Sequence, residues 1–170
     1  MRTNLEVYLF WKLYLLAVDY AAIGNVMIQI TKLSRQVFYG IYLGFTGFLV
    51  LNGDGMIVPF IVGPAAGFLL TNIFRKLWLR PRPFVAFGIR SLIAHEGSGS
   101  FPSKHAMSAF AIGVCTLYVS VPLGVIVLVL AGITSLSRVM VGVHYPLDVF
   151  VGAMTGAVVV ALAFTLFFVL

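Results

Sequence analysis

Three ionisable side chains lie close together in the sequence near the start of the last apolar segment. In "SLSRVMVGVHYPLDVF" (135–150), Arg138, His144 and Asp148 fall within eleven positions. Pro146 suits the first turn of a helix, so the last helix is predicted to begin near His144–Pro146. His144 and Asp148 are then four residues apart and share a face. The carboxylate can accept a hydrogen bond from one imidazole nitrogen and leave the other free as a nucleophile.

A second polar segment, "GSGSFPSKHAMSAF", precedes another apolar run. Ser103 is a good N-cap, which places Lys104 and His105 in the first turn of the following helix. The N-terminus of a helix presents free backbone N–H groups and a positive partial charge, and so favours an anion such as phosphate. The alternative for this segment alone is a simple cap with a solvated Lys and His.

The third segment, "RKLWLRPRPF", is rich in arginine. Arg82 lies between two prolines that restrict its backbone, and its planar guanidinium matches two phosphate oxygens. Arg75 lies seven positions earlier, about two helical turns, and can face the same point. Lys76 and Arg80 are competing candidates. The alternative is that such cations reach towards lipid headgroups, which we favour for Arg80 and Arg90.

The composition indicates that these segments are held in a membrane. Of 170 residues, 61% are hydrophobic and 9% are charged, and the mean hydropathy is +1.08. Soluble domains carry about 25% charged residues, so lipid is the expected solvent. We expect one integral-membrane domain over 1–170. The net charge of +6 does not indicate nucleic-acid binding, because the basic cluster lies between apolar spans rather than on a solvated face.

Several apolar runs approach the length of about 20 residues that a membrane-crossing helix needs. Residues 4–31 form either a sixth, poorer span or helices that lie in the interface. Runs of this length without alternation exclude a closed β-barrel. The predicted fold is an all-α polytopic membrane bundle of five to six helices. The five clearer spans are 37–52, 56–74, 105–120, 122–137 and 146–169.

Counting the predicted membrane crossings places the three polar segments on the same side of the membrane. The long connection 75–104 and the junction 138–145 fall on the same side of the membrane, so the site is expected at one membrane face. Long loops in compact domains are usually functional or disordered, and this one is rich in Arg, Pro and aromatic residues. The chain lacks a credible metal-ligand cluster.

Three spans carry glycines four residues apart, which allow helix backbones to approach closely. Packing within the bundle is the favoured interpretation, and a homodimer interface is the alternative. The pairs are Gly40/Gly44, Gly63/Gly67 and Gly152/Gly156.

Together the three polar segments resemble the signature of the phosphatidic acid phosphatase type 2 superfamily. That signature reads Lys-x6-Arg-Pro, then Pro-Ser-Gly-His, then Ser-Arg-x5-His-x3-Asp. The third part is complete in this chain, the second has Lys in place of Gly, and the first has Arg in place of Lys, with Lys76 adjacent. The matching residues are Arg75, Arg82, Pro83, Pro102, Ser103, Lys104, His105, Ser137, Arg138, His144 and Asp148.

The resemblance implies a role for each polar group. His144 would attack phosphorus and form a phosphohistidine, Asp148 would orient it, and His105 would protonate the leaving oxygen. Water would then release phosphate, with no metal or other cofactor. The resemblance leaves Lys104 unassigned, and we expect it to add an anion contact, to a second phosphate. The groups that would hold the phosphoryl oxygens are Arg75 or Lys76, Arg82, Ser103 and Arg138.

The resemblance is strongest to bacterial undecaprenyl-diphosphate phosphatases, which implies a lipid phosphate as substrate. Related alternatives are a lipid A 1-phosphatase and a phosphatidylglycerol-phosphate phosphatase. An anion transporter and a lipid phosphotransferase are alternatives of other classes; a transporter predicts polar residues continuing through the bilayer, and the spans here are almost wholly apolar.

The expected location is the bacterial inner membrane. A count of positive charges would place the basic face in the cytoplasm. Much of that charge is needed to bind phosphate, however. The resemblance instead implies an active site that faces the periplasm or the cell exterior.

Overall fold

The computed structural model of the protein describes residues 5–97 and 99–170. Within these ranges the chain is helical, with seven helices and no strand. The predicted all-α bundle is confirmed, with six long helices and one short one. They are α1 (Leu5–Asp19), α2 (Ala21–Leu51), α3 (Ile57–Leu77), α4 (Pro83–Ala86), α5 (Lys104–Val119), α6 (Val121–Met140) and α7 (Pro146–Val169).

The N-terminal region differs from the prediction. The span predicted at 37–52 belongs to a longer helix that begins at Ala21, and the region 4–31 is divided between α1 and α2 by a bend of 108°. The bend needs a glycine, because a Cβ on Gly24 would lie 2.4 Å from the carbonyl oxygen of Ala17. The buried Thr31 of α2 is hydrogen-bonded across the bundle: its hydroxyl and that of Ser137 lie 2.7 Å apart.

Three helices, α3, α6 and α7, are each long and apolar enough to cross a membrane. Helices α1 and α2 together pass the same test as one bent span. Large hydrophobic side chains stay exposed around the outside of the bundle, such as Leu43, Leu69 and Leu162. Exposed apolar side chains on this scale require lipid around them. The chain is therefore an integral membrane protein.

Helix α5 packs between α6 and α7, and its contact with α7 is very close. A Cβ on Gly156 would lie 2.2 Å from the carbonyl oxygen of Met107, and one on Gly152 would lie 2.4 Å from that of Ser103. The pair Gly152/Gly156 therefore packs inside the bundle. Gly63 likewise faces α7, with Val160 at 3.2 Å from its Cβ position. The exposed pair, Gly40/Gly44, has open space around it, and a homodimer through that face stays a prediction.

The packing of α5 against α7 gathers the polar segments at one end of the bundle. The Ser103 N–H donates to the carbonyl of Asp148 (2.9 Å), which ties the start of α5 to the start of α7. The Leu92 N–H donates to the carbonyl of Val141 (3.0 Å), which lays the 78–103 connection over the α6–α7 junction. The predicted convergence of the three segments on one face is confirmed.

Candidate active site

Three arginines from separate segments converge beneath the 78–103 connection; we call them the arginine cluster: Arg75, Arg82 and Arg138. Arg82 and Arg138 are 3% and 2% exposed. Arg82 Nη1 donates to the carbonyl of Val143 (2.9 Å), and Arg75 donates to the carbonyls of Pro102 (3.2 Å) and Gly99. Burial, together with the charge of Arg75, lowers the pKa of Arg82 to about 10. The cluster concentrates positive charge in a desolvated place.

Arg138 has buried hydrogen-bond donors to spare. Among the described residues, its Nε and Nη2 atoms are buried and have no hydrogen-bond partner. A buried charge without partners is costly, and Arg82 adds like charge within electrostatic range. An anion that accepts from these donors would remove that cost. Chemically, such an arrangement can hold an anion.

The imidazole of His144 lies between the arginine cluster and Asp148. Its Nε2 atom is 3.2 Å from Arg82 Nη1, and its Nδ1 atom is 3.5 Å from Asp148 Oδ2. A guanidinium only donates, so Nε2 accepts and the ring proton lies on Nδ1, towards the carboxylate. Burial, and then the charges of Arg82 and Arg138, holds the pKa of His144 well below its ordinary value. The ring is therefore neutral, and its Nε2 lone pair faces the cations.

The carboxylate of Asp148 is fully buried and shared among several donors. Its Oδ2 accepts from the N–H of Tyr145 (2.8 Å), and its Oδ1 accepts from Arg80 Nη1 (2.9 Å). The same guanidinium is bonded to Glu6. Arg80 was interpreted from sequence as reaching towards headgroups, and that interpretation is wrong: its charge is matched by two carboxylates, and its side chain is only 25% exposed.

The start of α5 has the predicted cap. Ser103 is the N-cap, and its hydroxyl accepts from the N–H of Ala106 at 3.4 Å. Lys104 and His105 follow in the first turn, and His105 lies within electrostatic range of His144 and Arg138. His105 is half-buried and opens towards the lipid side, whereas His144 lies deeper. The two histidines thus flank one site.

An apolar groove of about 480 Å³ runs from this site along the bundle, between α2, α3 and α5. Phe38, Ile61 and Ile112 are among its apolar lining residues. At its polar end lie His105 and Lys104, whose ammonium sits 5.1 Å from the centre of the Phe68 ring. The groove is therefore apolar along most of its lining and carries Lys104 and His105 at one end.

The other residues of the sequence prediction have different surroundings. Lys76 is exposed, whereas Arg75 is among the charges that act on His144, so Arg75 is the better placed of the two. Ser137 is buried and bonded to Thr31 and to the carbonyl of Thr134 (2.7 Å), which joins α2 to α6 rather than facing the cluster.

Sequence reasoning missed Glu6, the link from Arg80 to Asp148, and Arg35, a basic residue of α2 that lines the groove. Contacts between residues so far apart in the chain leave no local pattern. The carboxylate of Glu6, in the first turn of the mostly apolar α1, was the one available signal.

The sequence is similar to several bacterial proteins. It is 34% identical over 58% of its length to undecaprenyl-diphosphatase BcrC of Bacillus subtilis, covering 51% of that protein. It is 31% identical over 81% of its length to bacitracin transport permease protein BcrC of Bacillus licheniformis, covering 60% of that protein. The chain thus spans about half to three-fifths of the length of these two relatives.

The fold is similar to two solved structures. The crystal structure of LpxE of Aquifex aeolicus superposes with a TM-score of 0.80 and 21% identity, covering 96% of this chain and 97% of that one. A phosphatidylglycerolphosphate phosphatase of PAP2 type from Bacillus subtilis gives a TM-score of 0.56 at 24% identity, covering 95% and 94%. The sequence profile of the PAP2 superfamily matches residues 56–170, which include every residue of the arginine cluster and both histidines. The chain is therefore a member of the PAP2 superfamily.

Proposed function

We propose that the protein is a lipid phosphatase that removes the terminal phosphate of undecaprenyl diphosphate through a phosphohistidine on His144. The observation that carries the proposal is the excess of buried positive charge. Beside the neutral imidazole, the Nε and Nη2 donors of Arg138 are buried and have no hydrogen-bond partner among the described residues. A phosphoryl group supplies the missing negative charge beside the nucleophile.

In the first step the Nε2 lone pair of His144 attacks the terminal phosphorus. Arg82 Nη1, which occupies that lone pair in the free site, turns to a phosphoryl oxygen when substrate enters. Arg138, Arg75 and the N–H groups at the start of α5 hold the remaining oxygens. Asp148, whose Oδ2 atom lies 3.5 Å from Nδ1, stabilises the imidazolium that forms.

The bond between phosphorus and the bridging oxygen breaks as the P–N bond forms. His105, which takes up a proton when the anionic substrate binds, donates that proton to the bridging oxygen. Lipid monophosphate then leaves. Water attacks the phosphohistidine, His105 takes the proton that it lost, and the P–N bond breaks to return neutral His144 and inorganic phosphate. Each proton given up in the first half is recovered in the second, so the cycle needs no further reactant.

The groove supports a lipid substrate and suggests how it lies. His105 stands between the arginine cluster and the groove, so a bridging oxygen beside His105 directs the lipid chain into the apolar channel. Lys104, at the mouth of the groove, then meets the second phosphate of a diphosphate. The names of the relatives favour the same class, since the Bacillus subtilis relative is an undecaprenyl-diphosphatase.

We further propose that the site faces the outside of the cytoplasmic membrane. The basic residues of this face would by number favour the cytoplasm. Four of them, however, are engaged in the arginine cluster or with carboxylates, so they do not act as topology signals. Labelling of cysteines introduced into the 78–103 connection, in intact cells with an impermeant reagent, tests the orientation.

The test of the function is phosphate release by the purified protein in detergent. Undecaprenyl diphosphate, lipid A, phosphatidylglycerol phosphate and phosphatidic acid are compared at equal surface concentration, with His144→Gln as the inactive control. We expect the diphosphate to have the highest kcat/KM. Preference for lipid A or for phosphatidylglycerol phosphate would be compatible with the proposed mechanism but would contradict undecaprenyl diphosphate as the substrate. If His144→Gln released phosphate as fast as the wild type, His144 would not be the nucleophile.

A further inference from the structure

Helix α1 reaches the carboxylate behind the nucleophile through a chain of charged contacts. Arg80 Nη1 donates to Asp148 Oδ1 (2.9 Å) and to Glu6 Oε1 (3.0 Å), and Arg80 Nη2 donates to Glu6 Oε2 (2.7 Å). Glu6 Oε1 also accepts from the N–H of Leu147 (3.2 Å), in the first turn of α7. Glu6, Arg80 and Asp148 come from α1, the 78–103 connection and α7. We call them the carboxylate relay.

The relay is enclosed rather than solvated. The guanidinium of Arg80 lies 3.9 Å from the centre of the Tyr145 ring, a cation–π contact. The Tyr145 ring in turn packs against Phe10 of α1, with ring centres 5.6 Å apart. Asp148 is fully buried, and Glu6 is 17% exposed. Charges so weakly hydrated interact more strongly than charges at a surface.

The charges of the relay add to one negative charge. Arg80 alone would neutralise Asp148 and leave the imidazole without an anion behind it. Glu6 offsets Arg80, so that the relay as a whole presents one negative charge to the Nδ1 side of His144. The geometry therefore explains why a second carboxylate lies this close to the site.

We propose that Glu6 and Arg80 are positioning residues for the phosphatase reaction: Arg80 fixes the orientation of Asp148, and Glu6 preserves the effective charge that Asp148 presents to His144. This rests on the proposed role of His144. Helix α1 lies outside the residues that match the PAP2 superfamily, 56–170. The N-terminal helix would thus be a working part of the site rather than only a membrane anchor.

Two variants separate charge from structure, because they act on His144 in opposite directions. Glu6→Gln removes an anion and should lower the pKa of His144 further. Arg80→Gln removes a cation and should raise it. The double variant Glu6→Gln/Arg80→Gln restores one negative charge and should return the pKa close to that of the wild type. A purely structural role predicts no such reversal.

The other charges that act on His144 stay in place in all three variants. They come from the arginine cluster and from two histidines, and Asp148 faces the ring from α7. The full set is Arg75, Arg82, Arg138, His95, His105 and Asp148. Differences in the His144 pKa between the variants therefore come from the carboxylate relay.

The experiment measures the pKa of His144 by ring-carbon NMR in detergent, and kcat and KM with undecaprenyl diphosphate. The proteins compared are the wild type, both single variants, the double variant, Arg80→Lys and Arg90→Gln. Arg90 is an exposed cation of the same connection, and its replacement is expected to leave every value unchanged. In the single variants kcat should fall by about tenfold to a hundredfold, as for loss of a charge-assisted hydrogen bond, with KM nearly constant. Arg80→Lys should recover part of kcat.

The outcomes are distinguishable. A rise in KM with constant kcat in the Arg80 variants would make Arg80 a substrate-binding residue and overturn the proposal. The proposal would also be overturned if the pKa of His144 did not move in opposite directions in Glu6→Gln and Arg80→Gln. Variants that unfold give low thermal stability together with loss of the His144 signal, and the double variant and Arg80→Lys then carry the test. If the wild type released no phosphate but the pKa of His144 still shifted in opposite directions in the two single variants, the proposed function would be wrong. The proposed effect of the carboxylate relay on His144 would still be supported.

Discussion

At the scale of a residue, the site depends on charge that the protein leaves uncompensated. Arg80 is matched by two carboxylates, whereas Arg138 keeps two buried donors without a partner in the described part of the chain. The same side-chain type thus has two different roles in one region of the protein. The matched arginine orders the protein, and the unmatched one awaits a ligand.

Replacing Arg138 should therefore separate activity from stability. We expect Arg138→Gln to lower kcat/KM by about 100- to 1000-fold, as for removal of one donor to a transition-state oxyanion. The unfolding temperature without ligand should stay the same or rise, because a buried unpaired charge is removed. Thermal unfolding with and without phosphate checks this. A large loss of stability in the ligand-free variant would show that Arg138 is structural.

The second prediction concerns the effect of His144 on the stability of the protein at acidic pH. Its pKa is held below the ordinary value by burial and by Arg82 and Arg138, so the unfolded chain takes up a proton at about pH 6.5 that the folded protein does not. The unfolded state then binds more protons, and stability must fall as the pH drops below about 6.5, by up to about 1.4 kcal/mol per pH unit for this group.

The measurement is the unfolding temperature from neutral pH to about pH 5. His95 contributes a loss in the same direction, since burial also lowers its pKa. The comparison is therefore with His144→Gln, which should lose stability less steeply. Parallel acid profiles in the two proteins would mean that the His144 pKa is not depressed in the fold.

At the scale of an element, the contact of α5 with α7 determines the geometry, because it places the N-cap Ser103 beside Asp148. We expect Gly156→Ala to destabilise the protein by about 1–3 kcal/mol, as overpacking does, since its Cβ would lie 2.2 Å from the Met107 carbonyl oxygen. Activity should fall with it. Gly132→Ala is the matched control, because open space surrounds that position in α6. Equal stability of the two variants would contradict the close packing.

Elements with a local signal were predictable from the sequence. Ser103 followed by an apolar run predicted the start of α5, and Pro146 predicted the start of α7, and both starts are confirmed. The early part of α2 was not predicted as helix in one piece with the rest. Its polar residues reduce the apolar signal, and their partners, such as Ser137, lie far away in the chain.

The site was predictable in part for the same reason. The spacing of His144 and Asp148 is visible in the sequence, but the 3.5 Å contact and the hydrogen bond of Nε2 to Arg82 are not. Arg80 could not be told from a headgroup-facing arginine, because its two carboxylates are 68 and 74 positions away. Tertiary contacts decide which of several similar cations serves the site.

At the scale of the whole molecule, the bundle brings three distant segments to one end and opens a groove towards the lipid. The account needs only protein groups at that end, so we expect phosphate release to survive treatment with EDTA and to be unchanged when Mg²⁺ or Zn²⁺ is restored. Assays of chelated and metal-supplemented protein check this. Loss of activity on chelation that a metal ion reverses would contradict the mechanism.

The central claim is that the phosphoryl group passes through His144. The most direct measurement is to quench the wild-type protein during turnover of undecaprenyl diphosphate that carries a radiolabel in its terminal phosphate, and to map the label. The account predicts an acid-labile, base-stable label on the peptide that contains His144, and none in His144→Gln. Normal turnover with no label on that peptide, or a label on another residue, would contradict it.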